Sequence, residues 1–532
     1  MIDIEESKRN EKDENNRKDY INDFNNDKLS LRKSKNFYEI KKRREYKMFH
    51  ITENNNINKE YQFQIFNFDS SFNIIENYLK SNNPDLISYC LREIAIYFNF
   101  NCPNIKEQKK IKETKFLNTL LYFGNKFIQE NNIEDLLNIF SILINILIYE
   151  EGTFEFIQEI YSDTFFEFFN LCLDYANKLN NEENQTLIYR KIMMILKTMS
   201  YYNDINYFPD LNLIFLRSQV FLKIFEFYSE KNMVDVGDIK ELLELITYIV
   251  NLTNLEQSMC KNDINIIDKC LKFLIIQLCS GDNKVDFLTL IFESISHISG
   301  LSMLYDFNSK LINEGVTTKI LKMKFDNKNK VTKNYLKMLK FAMRILANNL
   351  TMSDDECKIF YSLNIIDYYN NILDKFDDNK AIVHNILYGL YNISLSSYYE
   401  VLKSCNIWKE KNIQKYFNYD DDVKILFIRI IKELITKDAQ EFIIFFYDTK
   451  ILEYLMHIFA CFNIGKKCSF KIIEIIDLYL SLFKKESKET KEYLFIFDKF
   501  KDLFRISEKI NELIDKEGNI SIIEKRIFSN YE

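Results

Sequence analysis

The chain has 532 residues, 47% of them apolar, with nine Gly and three Pro. It is too apolar for a disordered protein, and too poor in Gly for tight-turned sheets or phosphate-cradling loops, so a nearly all-helical chain is the reading. The net charge is −7, yet Lys28–Lys47 alone carries +7, which leaves −14 for the remainder.

A cationic arm is therefore tethered to an acidic body. Residues 1–65 are polar and charged, and Asn54-Asn55-Asn56 marks a flexible linker before the body, 66–532. Alone, the arm has the composition of a disordered segment; from Leu31 on it lacks Gly and Pro, so it can become helical under a partner. Taken as composition only, it also fits a nuclear-targeting patch or a phosphate-contacting arm.

From about Phe72 the pattern turns to helical periodicity. Leu136–Ile148 and Leu242–Leu252 are apolar at most positions, so these helices need a packed layer on each side. A stack of helix groups supplies such layers. A weak repeat of about 40–55 residues supports this, compatible with armadillo or HEAT units. Each copy reads as a polar turn and short helix, a long apolar helix, then another apolar helix. The clearest copies are Thr332–Leu373 and Asp378–Phe417; others begin near Asn83, Asn132, Asn184, Asp238, Asp282, Asp420 and Cys468.

Ten Cys occur without a CxxC pair, which reads as buried, reduced thiols. No apolar signal-peptide core opens the chain, and its apolar runs are too short to span a bilayer. The expectation is a protein of cytoplasm and nucleus, with no membrane insertion. Enzyme readings find little support. The four His are scattered, with no metal-ligand spacing and no GxGxxG, GxSxG or phosphate-loop motif, so neither cofactor nor metal is expected. His384 and His457 read as structural, and Trp408 as core. A nucleic-acid reader is disfavoured because an acidic body repels phosphates.

Three blocks in the arm follow one another in order: Arg17-Lys18-Asp19-Tyr20, then Leu31-Arg32-Lys33-Ser34-Lys35, then Ile40-Lys41-Lys42-Arg43-Arg44-Glu45. Their order and spacing resemble the importin-beta-binding segment of importin-alpha. The run of four Arg that this family places between the first two blocks is absent. In the body, Ala342–Thr351 with Ser353-Asp354-Asp355-Glu356 resembles the family's sixth repeat, and Ile386–Ser394 its seventh. Phe497–Phe528 resembles its last repeat.

The resemblance implies a right-handed superhelical solenoid of about ten armadillo repeats behind a disordered basic arm. It implies a nuclear import adaptor that shuttles through the nuclear pore. Arg17, Leu31, Arg32, Lys33, Lys35, Lys41, Lys42, Arg43 and Arg44 would contact importin-beta, and Lys42, Arg43 and Arg44 would also act as an internal, autoinhibitory signal mimic. Cargo proteins with basic nuclear localisation signals would bind along third helices. Asn145, Asn251, Asn348 and Asn392 fall at the family's backbone-binding Asn, with Lys197, Ser296 and Glu433 at that place in other repeats. The family's Trp positions hold Ser141, Met193, Thr247, Phe292, Arg344, Tyr388 and Arg429. Each lost aromatic slot weakens a cation's binding by about 0.5–1 kcal/mol, so Arg344, Asn348, Tyr388 and Asn392 mark the better-kept rear of the groove. The C-terminal resemblance implies an export receptor with Ran-GTP as a further partner. The alternative is an armadillo-repeat interaction scaffold with no transport role.

Overall fold

The computed structural model describes residues 84–100, 115–147, 163–201, 211–230, 236–251, 258–280, 284–301, 306–323, 331–351 and 354–451, with a few isolated positions besides. All regular structure among them is helical. The basic arm, the boundary expected near residue 65 and the region 497–528 lie outside the described residues.

The chain divides into two compact units, Met1–Ile160 and Tyr161–Glu532. The first holds α1 (Pro84–Phe100), α2 (Phe116–Glu130) and α3 (Ile133–Leu147). There α1 packs on α3, and Ser88 of α1 hydrogen-bonds Asp135 in the first turn of α3. Asn131, at φ 56°, makes the corner between α2 and α3. A short polar side chain tolerates this left-handed backbone better than most. In the second unit, Asn364 (φ 55°) and Gly315 (φ 75°) take the same left-handed backbone at corners between short helices.

The second unit holds six long helices that follow one another as a ladder: α5 (Glu182–Tyr201), α8 (Val236–Ile249), α10 (Val285–Gly300), α13 (Lys333–Asn349), α16 (Lys380–Leu395) and α18 (Asp421–Lys437). Each packs on the next. Between them lie the outer helices α4 (Asp163–Ala176), α6 (Leu211–Arg217), α7 (Gln219–Glu230), α9 (Lys261–Cys279), α11 (Phe307–Asn313), α12 (Val316–Leu321), α14 (Asp354–Ser362), α15 (Ile365–Phe376) and α17 (Glu410–Asn418), with two 3-10 turns at Tyr399–Ser404 and Asn406–Trp408. Helix α19 (Ala439–Asp448) packs on α18.

Side-chain bonds give the ladder its direction. Asn385 Nδ2 donates to the Lys340 carbonyl, and Asn392 Nδ2 to the Ala347 carbonyl, each at 2.8 Å and each across 45 residues. An equal separation at two points means that α13 and α16 run parallel. Arg190–Asp238 and Lys197–Glu244 tie α5 to α8 across 48 and 47 residues, and Asn334–Asp286 and Asn348–Ser299 tie α13 to α10 across 48 and 49. Parallel helices at a near-constant sequence interval are the signature of a repeat stack, in which each unit is covered by its neighbours.

The burial pattern follows. In α10 every residue from Ile291 to Ser299 is buried, because α8 covers one side and α13 the other. Its buried hydroxyls turn back onto the helix: Ser294 donates to Leu290 O, Ser296 to Glu293 O and Ser299 to Ser296 O. Ladder helices begin at polar caps. Thr332 Oγ1 accepts from Tyr335 N and Asn379 Oδ1 from Ile382 N, each at 3.2 Å, and such a cap stabilises by about 1 kcal/mol. Among the described residues the repeat starts read from sequence fall on these helix starts (the start near Cys468 lies outside the described residues), so the long helix opens each copy and the short helix follows it. That corrects the expected order within a copy; the polar cap, not a preceding short helix, marks the boundary.

Candidate protein-binding face

The ladder helices expose one narrow stripe each, and register bonds show which stripes align. On α13 the half-buried polar positions are Lys337, Lys340, Arg344 and Asn348, at helical spacing on one face. The 45-residue offset sets Tyr388 of α16 beside the turn of Arg344. Lys437 of α18 donates to the carbonyls of Leu395 and Ser396, 42 and 41 residues away, which brings Arg429 to the level of Tyr388. Arg344, Tyr388 and Arg429 thus form one half-buried row across three helices.

The Asn set read from sequence is divided by the structure. Asn145 lies on α3 in the first unit and is half-buried. Asn251 follows α8, half-buried, and its carbonyl accepts Asn212 Nδ2 at 3.2 Å. Asn348 Nδ2 donates to Ser299 Oγ at 2.9 Å, and its own carbonyl accepts Asn308 Nδ2 at 3.0 Å. Asn392 is 3% exposed, with Nδ2 committed to Ala347 O. Asn348 and Asn392 therefore brace neighbouring repeats. Their amides are engaged within the ladder, and an incoming peptide has to compete with those bonds.

Several Trp-equivalent positions point between helices. Met193 and Phe292 are buried, and Thr247 Oγ1 bonds Ser294 Oγ at 2.7 Å across the α8–α10 contact. Ser296, at an Asn-equivalent place, is fully buried. Lys197 pairs with Glu241 and Glu244 of α8, which takes up a cation at that level. Trp408 is core: it is 6% exposed, donates Nε1 to Leu402 O at 2.6 Å and packs among Phe427, Phe445 and Phe446.

Three features were missed in the sequence. Asn212 and Asn308 each stand second in a seven-residue helix and reach a ladder-helix end 39 or 40 residues on. That repeated placement was the available signal. The second feature is charge. Helix α13 carries four Lys or Arg and no acid, for +4, while α16 and α18 each carry +1. Helix α5 carries +1, but α8 and α10 carry −2 each. The ladder is net acidic over its first three helices and net basic over its last three. The third is the buried carboxylate of Asp263, fully covered, which receives Arg217 Nη2 at 2.7 Å and Cys260 N at 2.7 Å. Burial raises its pKa, but the guanidinium and the N–H outweigh burial and hold it below the usual carboxylate value.

Reactive chemistry is sparse. Burial pushes the thiols of Cys270 and Cys405 up to about 12, so they stay protonated and unreactive. Cys260 and Cys279 are exposed, unlike the buried thiols expected. His384 is buried and held down to about 4 by loss of solvent, with Asn385 opposing. Among the described residues no group of three or more His, Cys, Asp or Glu is placed to hold a metal, and no helix is long and apolar enough to cross a membrane.

The sequence matches no family model and no curated protein. Solved structures do share its architecture. A crystal structure of an engineered protein superposes with a TM-score of 0.60 at 14% identity, over 86% of this chain and 98% of that chain. A chain from work on a phosphorylation switch controlling the interaction between cadherin and beta-catenin gives 0.54 at 12% identity, over 79% of this chain and 74% of that one. The chain has an armadillo-like helical-repeat fold. At these identities the likeness is one of fold.

Proposed function

We propose that this protein is a non-enzymatic, protein-binding adaptor whose ladder face takes an extended segment of a partner. The observation that carries the reading is the aligned row of Arg344, Tyr388 and Arg429: polar, half-buried positions repeated at one level on parallel helices. A partner chain laid across the ladder meets the same level once per helix, as repeat scaffolds use their extended surfaces. The arm adds the finer reading, an import adaptor of the importin-alpha kind. Its three ordered basic blocks would engage importin-beta, the ladder face would hold cargo with basic nuclear localisation signals, and the C-terminal region would meet an export receptor with Ran-GTP as the protein shuttles between nucleus and cytoplasm. Lys42, Arg43 and Arg44 would serve as an autoinhibitory mimic of such a signal.

The test of the finer reading is importin-beta affinity for the full chain and for a variant with Arg32, Lys33 and Lys35 changed to Ala. The import reading predicts a loss of tenfold or more, larger at low salt because exposed charges are screened within about 10 Å at 0.1 M. Equal affinity leaves the scaffold reading, which the committed amides of Asn348 and Asn392 already favour.

A further inference from the structure

The ladder's charge reverses along its length, and that reversal selects the partner at its rear. Helices α13, α16 and α18 sum to +6, whereas α5, α8 and α10 sum to −3. On the rear stripe, Lys340 and Arg344 stand on α13, Arg429 and Lys432 on α18, with Tyr388 and Tyr391 between them on α16; all six are half-buried. The acids of these helices lie at the ends of α18 or beside its cations: Asp421 pairs with Lys424, and Glu433 adjoins Lys432. Lys337 faces Glu293 of α10 at 2.7 Å, so the last acidic helix is already engaged at the border.

We infer that the α13–α16–α18 face binds an acidic, extended peptide segment of a partner protein. The inference rests on the ladder face being the binding surface. A basic peptide laid there would meet the like charges of Lys340, Arg344, Arg429 and Lys432, offset in part by Glu433, while Lys337 and Lys380 already pair with Glu293 and Asp420. An acidic one meets Arg on two flanking helices, whose forked donors suit carboxylates, with an aromatic floor between them. Neighbouring helix axes lie about 10 Å apart, so three helices span about 20 Å. At about 3.3 Å per residue, about six residues cover the face. A segment of this length with acids at alternate positions places two or three carboxylates against the cations. A longer polyanion such as a nucleic acid would run on to α10 and α8, each −2, so a short peptide fits better than a phosphate backbone.

The test uses the full chain and three labelled probes: a peptide of about nine residues with Glu at alternate positions, its Lys counterpart, and a single-stranded oligonucleotide of similar length. Binding is measured by fluorescence anisotropy at low and at physiological salt, for the native protein and for Arg344→Gln and Arg429→Gln. The expected result is that the Glu peptide binds, loses about tenfold in affinity with either substitution, and weakens as salt rises. Should Arg344→Gln unfold the chain, as judged by circular dichroism, Arg429→Gln carries the comparison. Binding of the Lys peptide alone, blocked by substituting the α8 acids, overturns the inference but keeps the ladder face as the site. Absence of both peptides overturns the inference and the ladder-face reading together. Tighter binding of the oligonucleotide, with the same sensitivity to Arg429→Gln, overturns the peptide assignment in favour of nucleic acid.

Discussion

Changing Gly389 to Ala perturbs the floor of the candidate face at one atom. Gly389 lies on α16 next to Tyr388, and a Cβ built there meets Tyr369 Oη at 2.5 Å, Cζ at 3.2 Å and Cε2 at 3.4 Å. The hydroxyl contact is about 0.9 Å short of ordinary van der Waals distance. Tyr369 is fully buried on α15, and its hydroxyl has no hydrogen-bond partner among the described residues, so the ring is held by packing alone. Overpacking of this kind costs about 1–3 kcal/mol. Ala recovers about 1 kcal/mol over Gly through helix propensity, which leaves a net loss of up to about 2 kcal/mol. Tyr369→Phe removes the clashing atom and also an unsatisfied buried hydroxyl, so alone it is neutral or stabilising. In that background Gly389→Ala should be neutral to stabilising by about 1 kcal/mol, a coupling of about 1–3 kcal/mol in a double-mutant cycle. Repeat arrays need not unfold as one unit, so amide hydrogen exchange in α15 and α16 is the better readout than a global midpoint. Equal effects of Gly389→Ala with Tyr and with Phe at 369 would refute the reasoning, because the hydroxyl would then not be the neighbour that excludes Cβ.

Other outcomes follow from the buried titratable groups. His384 is held down to about 4 when folded, against about 6.5 unfolded, so its contribution is full above pH 6.5 and is lost as pH falls towards 4. The native protein should lose up to about 3 kcal/mol more over that range than His384→Met, measured by urea unfolding at each pH. Arg217→Ala should destabilise by about 2–3 kcal/mol, less than a fully buried pair because Arg217 is itself 43% exposed. Asp263 is lowered on folding, so the native pair's contribution holds above about pH 4 and fades as pH falls through the folded value. The difference between native and Arg217→Ala should therefore shrink below pH 4.

The helical class and the repeat interval were legible because both rest on simple causes. Scarce Gly and near-continuous apolar runs leave few alternatives to stacked helices, and polar caps such as Thr332 and Asn379 punctuate them. The core role of Trp408 and the buried state of His384 were legible for the same reason, since each lies among apolar neighbours. Which face an Asn occupies was not. Asn392 and Asn251 stand at similar places in the pattern. One lies under a neighbouring helix and donates to Ala347, and the other stays half-buried at a helix end. Where the helix ends separates these fates: Asn251 lies past the end of α8 and Asn392 inside α16, and sequence spacing does not fix a helix end to one residue. The charge reversal along the ladder was hidden too, because the residues that share a stripe lie 40 to 49 residues apart and only the register bonds collect them.

The central claim is that the ladder face, not the outer helices, is the surface that meets a partner. Hydrogen exchange of the full chain, with and without a saturating extended peptide, tests it most directly. The account predicts added protection in ladder helices, in α13, α16 and α18 for an acidic peptide and in α8 and α10 for a basic one, with α7, α9 and α15 unchanged. Protection confined to α7, α9 or α15 would contradict it.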